Sequence, residues 1–391
     1  MRENKIYQRD IFKKIENHLD DLEAIVITGM RRTGKTTALL YVKDKYFRKN
    51  SIYLDLENPL NQKYLESENY QEIKTNFEFL GINFKKRAVI FLDEIQYLSK
   101  IPSVVKYFID HYSVKFFISG SASFYLKNLF SESLSGRKYL FEIFPLAFNE
   151  FLNFKEASFI IPDKKISKEI YDSLKPLMLE YLNYGGFPQV VLKNSDEEKK
   201  LSVNDIFTSY FQNEIIQMSD FRKNNKVRDL ILLLMERVGS KLDYQKLSSI
   251  LGISRPTLYN YISFLEQTYF ISLVKPYSSG KDTEIRKAPK VYLCDVGLLN
   301  NVAKVSRGHL FENAVFQIIR KDNKINYYQK KSGVEIDFVL NQERCLEVKI
   351  NPDENDLSRI RRLCEQLKLK RYNLVGLNYS KVERVVYPFN L

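Results

Sequence analysis

The chain contains no tryptophan, three histidines and three cysteines among 391 residues. His18, His111 and His309 are far apart, which excludes a metal–histidine cluster or a histidine triad built from neighbours in sequence. Cys294, Cys345 and Cys364 form no C-x-x-C pair, so neither a disulfide framework nor a structural zinc site is expected, and a reducing compartment is. Only 14 Gly and 11 Pro are present, which excludes collagen-like and low-complexity classes. No charge-free apolar run approaches the roughly 18–20 residues of a membrane span; Leu230–Met235, between Asp229 and Glu236, is far shorter. The opening MRENKIYQRD has no apolar stretch of secretory type. The expectation is a soluble, cytoplasmic chain that makes no use of a membrane.

The apolar share of 44% is ample for packed interiors, and the length calls for more than one core. The 26 Tyr and 27 Phe are read as core filling. Lys+Arg minus Asp+Glu, 61 − 48, leaves +13, a balance suited to polyanionic partners such as nucleotides or nucleic acid, with a solvated lysine-rich surface as the alternative.

Ala24–Thr28, Ser51–Leu54, Ala88–Leu92 and Lys115–Ser119 read as buried strands, each followed by a longer polar segment, the pattern of a parallel α/β sheet. Beyond Phe144–Pro145 the alternation stops, and helical periodicity runs to about residue 240, broken at Gly185-Gly186-Phe187-Pro188. A helix over Tyr244–Leu251, a turn at Gly252-Ile253-Ser254, a helix over Arg255–Thr268 and strands at Tyr269–Lys275 and Lys290–Cys294 read as a winged-helix unit. Thereafter come a helix at Leu310–Arg320, strands at Ile325–Gln329, Val334–Leu340 and Arg344–Ile350, and a helix at Asp356–Leu367.

Gly29-Met30-Arg31-Arg32-Thr33-Gly34-Lys35-Thr36 fits G-x-x-x-x-G-K-[ST] between a predicted strand and a predicted helix, where backbone N–H groups and a helix N-terminus receive phosphate. Gly29, Arg32, Thr33, Gly34, Lys35, Thr36 and Thr37 are the expected nucleotide contacts, with Lys35 on the β- and γ-phosphates and Thr36 on Mg²⁺. A second apolar strand ends in Asp93-Glu94, which assigns Asp93 to Mg²⁺ and Glu94 to the attacking water; an ordinary helix start is the plainer account. ATP and Mg²⁺ are therefore the expected cofactors. Ser119 or Ser121 at the end of the next strand is a γ-phosphate sensor or part of a turn. Arg137 is a candidate charge donor to the transition state, from its own subunit or a neighbour in a homo-oligomer.

GMRRTGKTT, VIFLDEIQYL, FFISGSAS, LSGR and GGFP, in that order, resemble prokaryotic AAA+ ATPases related to archaeal ATPases and STAND signalling NTPases, over about residues 1–240. The resemblance implies an AAA+ core followed by a helical lid, with Pro188 approaching the nucleotide base; an interhelix turn is the alternative. No aromatic–glycine pore loop follows the phosphate loop, which speaks against a threading translocase.

In the helix–turn–helix, Arg255, Thr257, Tyr259 and Asn260 are placed for a major groove, against an interdomain packing role suggested by that helix's near-neutral charge. Near the C-terminus Glu312 lies on a predicted helix, while alternation along strands puts Glu335 with Asp337 on one face and Glu347 with Lys349 on another. Two carboxylates from adjacent strands and a lysine suit Mg²⁺-assisted attack on a phosphodiester, with cross-strand ion pairs as the plainer reading. The arrangement resembles PD-(D/E)xK, restriction-endonuclease-like nucleases, Holliday-junction resolvases among them, with Ile336 where a proline often stands. That resemblance implies Asp337 and Glu347 as metal ligands and Asp337, Glu347 and Lys349 as catalytic. The order of parts also resembles a large prokaryotic family with a C-terminal domain of unknown function.

The expectation is an α/β multidomain chain: a P-loop AAA+ parallel-sheet core at 1–150, a helical lid at 151–240, a winged helix at 241–300 and a nuclease-like α/β domain at 301–391. Three functions fit it: an ATP-hydrolysing switch coupled to a nucleic-acid-facing C-terminal half, an ATP-regulated metal-dependent DNA endonuclease, and an ATP-binding signalling scaffold without nuclease activity.

Overall fold

A computed structural model describes residues 5–120, 136–157, 166–217, 224–278, 287–330 and 332–391. The chain divides into two compact units, Met1–Phe144 with Gln267–Tyr269, and Pro145–Glu266 with Phe270–Leu391.

In the first unit, strands β1 (Ala24–Thr28), β2 (Ser51–Asp55), β3 (Val89–Asp93), β4 (Lys115–Gly120) and β5 (Lys138–Glu142) form one sheet in the order β2-β3-β4-β1-β5. Every pairing is parallel. Every residue of β1, β3 and β4 is buried, and apolar residues fill their centres, because both faces are covered. Ala24, Val26, Ile90, Leu92, Phe116 and Ile118 pack into one core, and Ile25, Ile27, Val89, Phe91 and Phe117 into the other. Helices α1 (Asp10–Glu16) and α2 (Lys35–Tyr46) cover the second face; Ile11, Phe12 and Ile15 of the first and Ala38, Leu39 and Val42 of the second pack there. On the opposite side, α5 (Ile101–Tyr112) follows α3 (Pro59–Lys63) and α4 (Tyr70–Phe79), presenting Ile101, Val104, Val105 and Phe108 to the first core.

The second unit begins with helices: α6 (Phe148–Phe154), α7 (Lys168–Tyr184), α8 (Pro188–Val191), α9 (Asp196–Tyr210) and α10 (Asn224–Met235). Helices α11 (Tyr244–Leu251) and α12 (Arg255–Gln267) flank a left-handed turn at Gly252 (φ 63°), and Ser254 Oγ accepts a hydrogen bond from Thr257 N, as the sequence predicts for a cap. Strands β6 (Ile271–Pro276) and β7 (Lys290–Leu293) pair antiparallel. They do not stand alone: β6 also pairs in parallel with β8 (Ile325–Gln329), through Lys275↔Asn326. One sheet, in the order β12-β11-β10-β9-β8-β6-β7, therefore crosses the boundary at residue 300 expected from the sequence. Its remaining members are β9 (Glu335–Leu340), β10 (Arg344–Lys349), β11 (Arg371–Gly376) and β12 (Val385–Val386); α13 (Val296–Val302) and α14 (Arg307–Ile319) follow β7, and α15 (Glu354–Gln366) joins β10 to β11. Cys345 of β10 and Cys364 of α15, which spacing alone leaves unpaired, are joined in a core with Ile336, Val339, Ile360, Leu363 and Leu374. Among the described residues no helix is long and apolar enough to cross a membrane.

Candidate functional site

Because the first sheet is parallel, the chain segments leaving β1, β3 and β4 emerge at one edge, where ligands of open α/β sheets bind. Their registers are level: Ile27 lies beside Ser119, and Thr28 beside Gly120. The loop from β1 to α2 turns at Gly29 (φ 153°), Arg32 (φ 65°) and Gly34 (φ 100°). A Cβ on Gly29 would lie 2.1 Å from the Ile143 carbonyl oxygen, so only glycine lets the loop approach the segment after β5. Lys35 Nζ folds over the loop and donates to Gly29 O and Met30 O, both at 3.0 Å. Thr33 is buried and its hydroxyl donates to Met30 O at 2.8 Å; Thr36 and Thr37 are exposed on the first turn of α2.

A residue with no motif around it braces this loop. Arg9, 6% exposed, donates from Nη1 to Thr33 O and from Nη2 to Phe144 O, each at 2.9 Å. The sequence carried no signal for it beyond one arginine ahead of a helix.

Asp93, at the end of β3, is 2% exposed. Its Oδ1 accepts from Ser119 Oγ and its Oδ2 from Tyr53 Oη at 2.7 Å. Burial, then the bond to Asp93, raises the Tyr53 pKa and keeps the phenol a donor. Tyr53 was not anticipated; its position on β2, one strand away from β3, is legible only once the sheet is known. Glu94 takes a left-handed conformation (φ 52°) and accepts from Gln96 Nε2 at Oε2. The loop, Asp93-Glu94 and Ser119 thus stand at one edge. Ser121, Leu134 and Ser135 lie outside the described residues.

Arg137 stands elsewhere. Its carbonyl oxygen accepts from Ala24 N at the opposite end of β1, and its guanidinium pairs with Asp110 at 2.8 Å. Four residues of strand, roughly 13 Å, separate it from the loop. A contribution of Arg137 to its own subunit's phosphate site is thereby corrected by the strand direction.

In the second unit, Gly185-Gly186-Phe187-Pro188 turns α7 into α8, with Pro188 at the first helical position, where proline's fixed φ and missing N–H are suited. Arg255, Tyr259 and Asn260 are exposed on α12, with Tyr259 stacked on Tyr244 at 4.6 Å, and Thr257 is half-buried.

The C-terminal carboxylates do gather. Asp337 Oδ2 accepts from Val348 N at 2.8 Å, beside Glu347. Glu347 Oε1 pairs with Lys349 at 3.0 Å and with Arg359 of α15 at 2.7 Å, while its Oε2 is buried with no hydrogen-bond partner among the described residues. Burial and the nearby Asp337 push the Glu347 pKa up, and the same two causes raise Glu312. Among the described residues no three His, Cys, Asp or Glu side chains are placed to hold a metal ion.

Comparisons with known proteins match three stretches of the chain. A family model described as an AAA domain matches residues 21–152, and two described as domains of unknown function, DUF8612 and DUF4143, match 175–308 and 307–389. An uncharacterized protein of Methanocaldococcus jannaschii, MJ1544, is 28% identical over 96% of this chain and 86% of its own. An uncharacterized protein of Haemophilus influenzae is 27% identical over 86% of this chain and 83% of its own. Among solved structures, the Walker-type ATPase PABY2304 of Pyrococcus abyssi is similar at TM-score 0.43 and 15% identity, over 77% of this chain and 97% of that one. The Aeropyrum pernix ORC1 protein in complex with DNA is similar at TM-score 0.35 and 13% identity, over 80% and 93%. Residues 21–152, which match the AAA domain model, contain the five-stranded parallel sheet and its glycine-turned loop, within a mixed α/β chain.

Proposed function

We propose that this chain binds and hydrolyses Mg²⁺-ATP in its first unit and works as a nucleotide-driven switch for a nucleic-acid-facing C-terminal half. The observation that carries the proposal is the meeting, at one sheet edge, of the glycine-turned loop holding Lys35 with Asp93, Glu94 and Ser119. The residues fit the cofactors: among the described residues the Thr28 hydroxyl, at the last position before the loop, is buried without a partner, and a buried carboxylate held by two hydroxyl donors faces the same edge.

In this reading Gly29, Arg32, Thr33, Gly34, Lys35, Thr36 and Thr37 would hold the phosphates, Thr36 and Asp93 would hold magnesium, and the ion would supply charge neutralisation. Glu94, next in chain to Asp93, orients water for attack. Ser119 links β4 to Asp93 and so ties the state of the site to the neighbouring strand. The match to an AAA domain supports the activity. The net charge of +13 and the exposed Arg255, Tyr259 and Asn260 support a polyanionic partner for the second unit.

Phosphate release and ATP affinity of the wild type, Lys35→Ala and Glu94→Gln test this. Glu94→Gln should keep ATP and stop turnover, and Lys35→Ala should lose affinity. A wild type that binds no ATP overturns the reading, and unchanged turnover in Glu94→Gln removes Glu94 from its role. Nucleic-acid binding by the full chain should weaken steeply with salt.

A further inference from the structure

The endonuclease expectation needs a divalent ion beside Asp337, and a side chain absent from that expectation stands there. Lys290, at the start of β7, is 1% exposed. Its Nζ lies 3.3 Å from Glu335 Oε1, 3.5 Å from Glu312 Oε1 and 3.8 Å from Asp337 Oδ1. Tyr292, two residues along the same strand, donates to Glu312 Oε1 at 2.6 Å and fixes that carboxylate toward the ammonium. Tyr327 lays its ring 5.7 Å from the same nitrogen. Burial alone disfavours the charge on Lys290, but Glu312, Asp337 and Glu335 outweigh it and raise its pKa.

These spacings suit an ammonium. Divalent ions draw oxygen ligands to about 2.0–2.6 Å. Charge leads to the same conclusion: four carboxylates, Glu312, Glu335, Asp337 and Glu347, already face three cations, Lys290, Lys349 and Arg359, the last shared with Asp356. Much of the cluster's charge is thus matched from within, which lowers what a divalent ion would gain there against the cost of its dehydration. Among the described residues, Oε2 of Glu347 is a buried acceptor without a partner in this arrangement.

We infer that Lys290 is the cluster's own cation: its ammonium holds the place beside Asp337 that a divalent ion would take, and the cluster binds such an ion only when that ammonium is removed. The C-terminal half then works with its carboxylates neutralised from within, and Lys290 decides whether they are open to metal. This inference stands apart from ATP hydrolysis, since it concerns only side chains of the second unit.

The test uses the full-length chain without nucleotide and Mn²⁺ alone as probe, with free Mn²⁺ read by electron paramagnetic resonance and stability by thermal melting. Lys290→Met and Lys290→Gln should each gain a Mn²⁺ site at least tenfold tighter than any in the wild type. Each should melt lower without metal and recover with it. Adding Asp337→Asn to either should abolish the gain. Equal Mn²⁺ binding by wild type and both variants overturns the inference, as does a gained site that survives Asp337→Asn. Variants that stay unfolded at every Mn²⁺ concentration also overturn it, because the ion then fails to take the ammonium's place.

Discussion

Asp295 Oδ2 accepts a hydrogen bond from the backbone N–H of Gly186 at 2.7 Å, across 109 residues of chain. The same carboxylate caps α13 through Gly297 N and Leu298 N and accepts from Gln317 Nε2. It is fully buried, and four donors replace the water it has lost. The Gly-Gly-Phe-Pro turn therefore has a local reason for its letters. Gly185 turns back at φ 77° against Asp295, and Gly186 lies against Leu146, whose N–H donates to the Gly186 carbonyl at 2.6 Å.

Gly185→Ala should be among the most damaging single changes in the chain. Its Cβ would come within 1.9 Å of Asp295 Oδ1, and the backbone conformation is one that alanine resists. The expected loss is on the order of 4 kcal/mol, with much of the protein insoluble. A melting temperature within a few degrees of wild type would show that the turn can move away from Asp295.

Asp295 also predicts a pH dependence. Burial raises its pKa above the ordinary carboxylate value, and the N–H donors from Gly186, Leu298, Gly297 and Gln317 only partly offset that. The folded state thus takes up the proton more readily than the unfolded chain. The contribution of Asp295 to stability is fully present below the unfolded pKa and declines as pH rises toward the folded one. Urea titrations of wild type and Asp295→Asn between about pH 4 and pH 7 should diverge, the wild type losing ground relative to the variant as pH rises. Parallel curves would sink this assignment.

What the letters revealed follows from what each element buries. β1, β3 and β4 were legible because both faces are covered and their central residues are apolar. β5, Lys138–Glu142, sits at the edge with no residue fully buried, and its mixed composition hid it. The helix–turn–helix was legible because Gly252 and Ser254 act on immediate neighbours. Pairing of β6 with β8 brings together residues about fifty apart, and no local pattern encodes it. Arg9, Tyr53, Lys290 and Asp295 share that difficulty: each acts through partners distant in sequence. Asp93, Ser119, Asp337 and Glu347 ended predicted strands or alternated along them, and so could be named.

Arg9 offers a test of how far loop bracing matters to nucleotide affinity. Arg9→Ala removes the donors to Thr33 O and Phe144 O, freeing the loop on one side and the segment after β5 on the other. ATP affinity should fall about tenfold, equivalent to about 1.4 kcal/mol. Arg9→Lys, which reaches one carbonyl in place of two, should fall between. Fluorescent-nucleotide titration reads both, and wild-type affinity in Arg9→Ala would show that the loop holds its shape unaided.

Asp93 is held from two sides, by Ser119 Oγ at one oxygen and Tyr53 Oη at the other. A carboxylate fixed in this way meets an incoming ion without reorienting, and losing such support typically costs 10–100-fold in metal affinity or activity. Ser119→Ala should therefore raise the Mg²⁺ concentration needed for half-maximal ATP turnover by about tenfold, with nucleotide affinity in the absence of metal unchanged. Tyr53→Phe should act in the same direction, and the double variant should exceed either, since one donor otherwise still restrains the carboxylate. A purely structural role would lower thermal stability without moving the Mg²⁺ dependence. If Ser119→Ala titrates with Mg²⁺ as wild type does, Ser119 has no part in positioning Asp93 for catalysis.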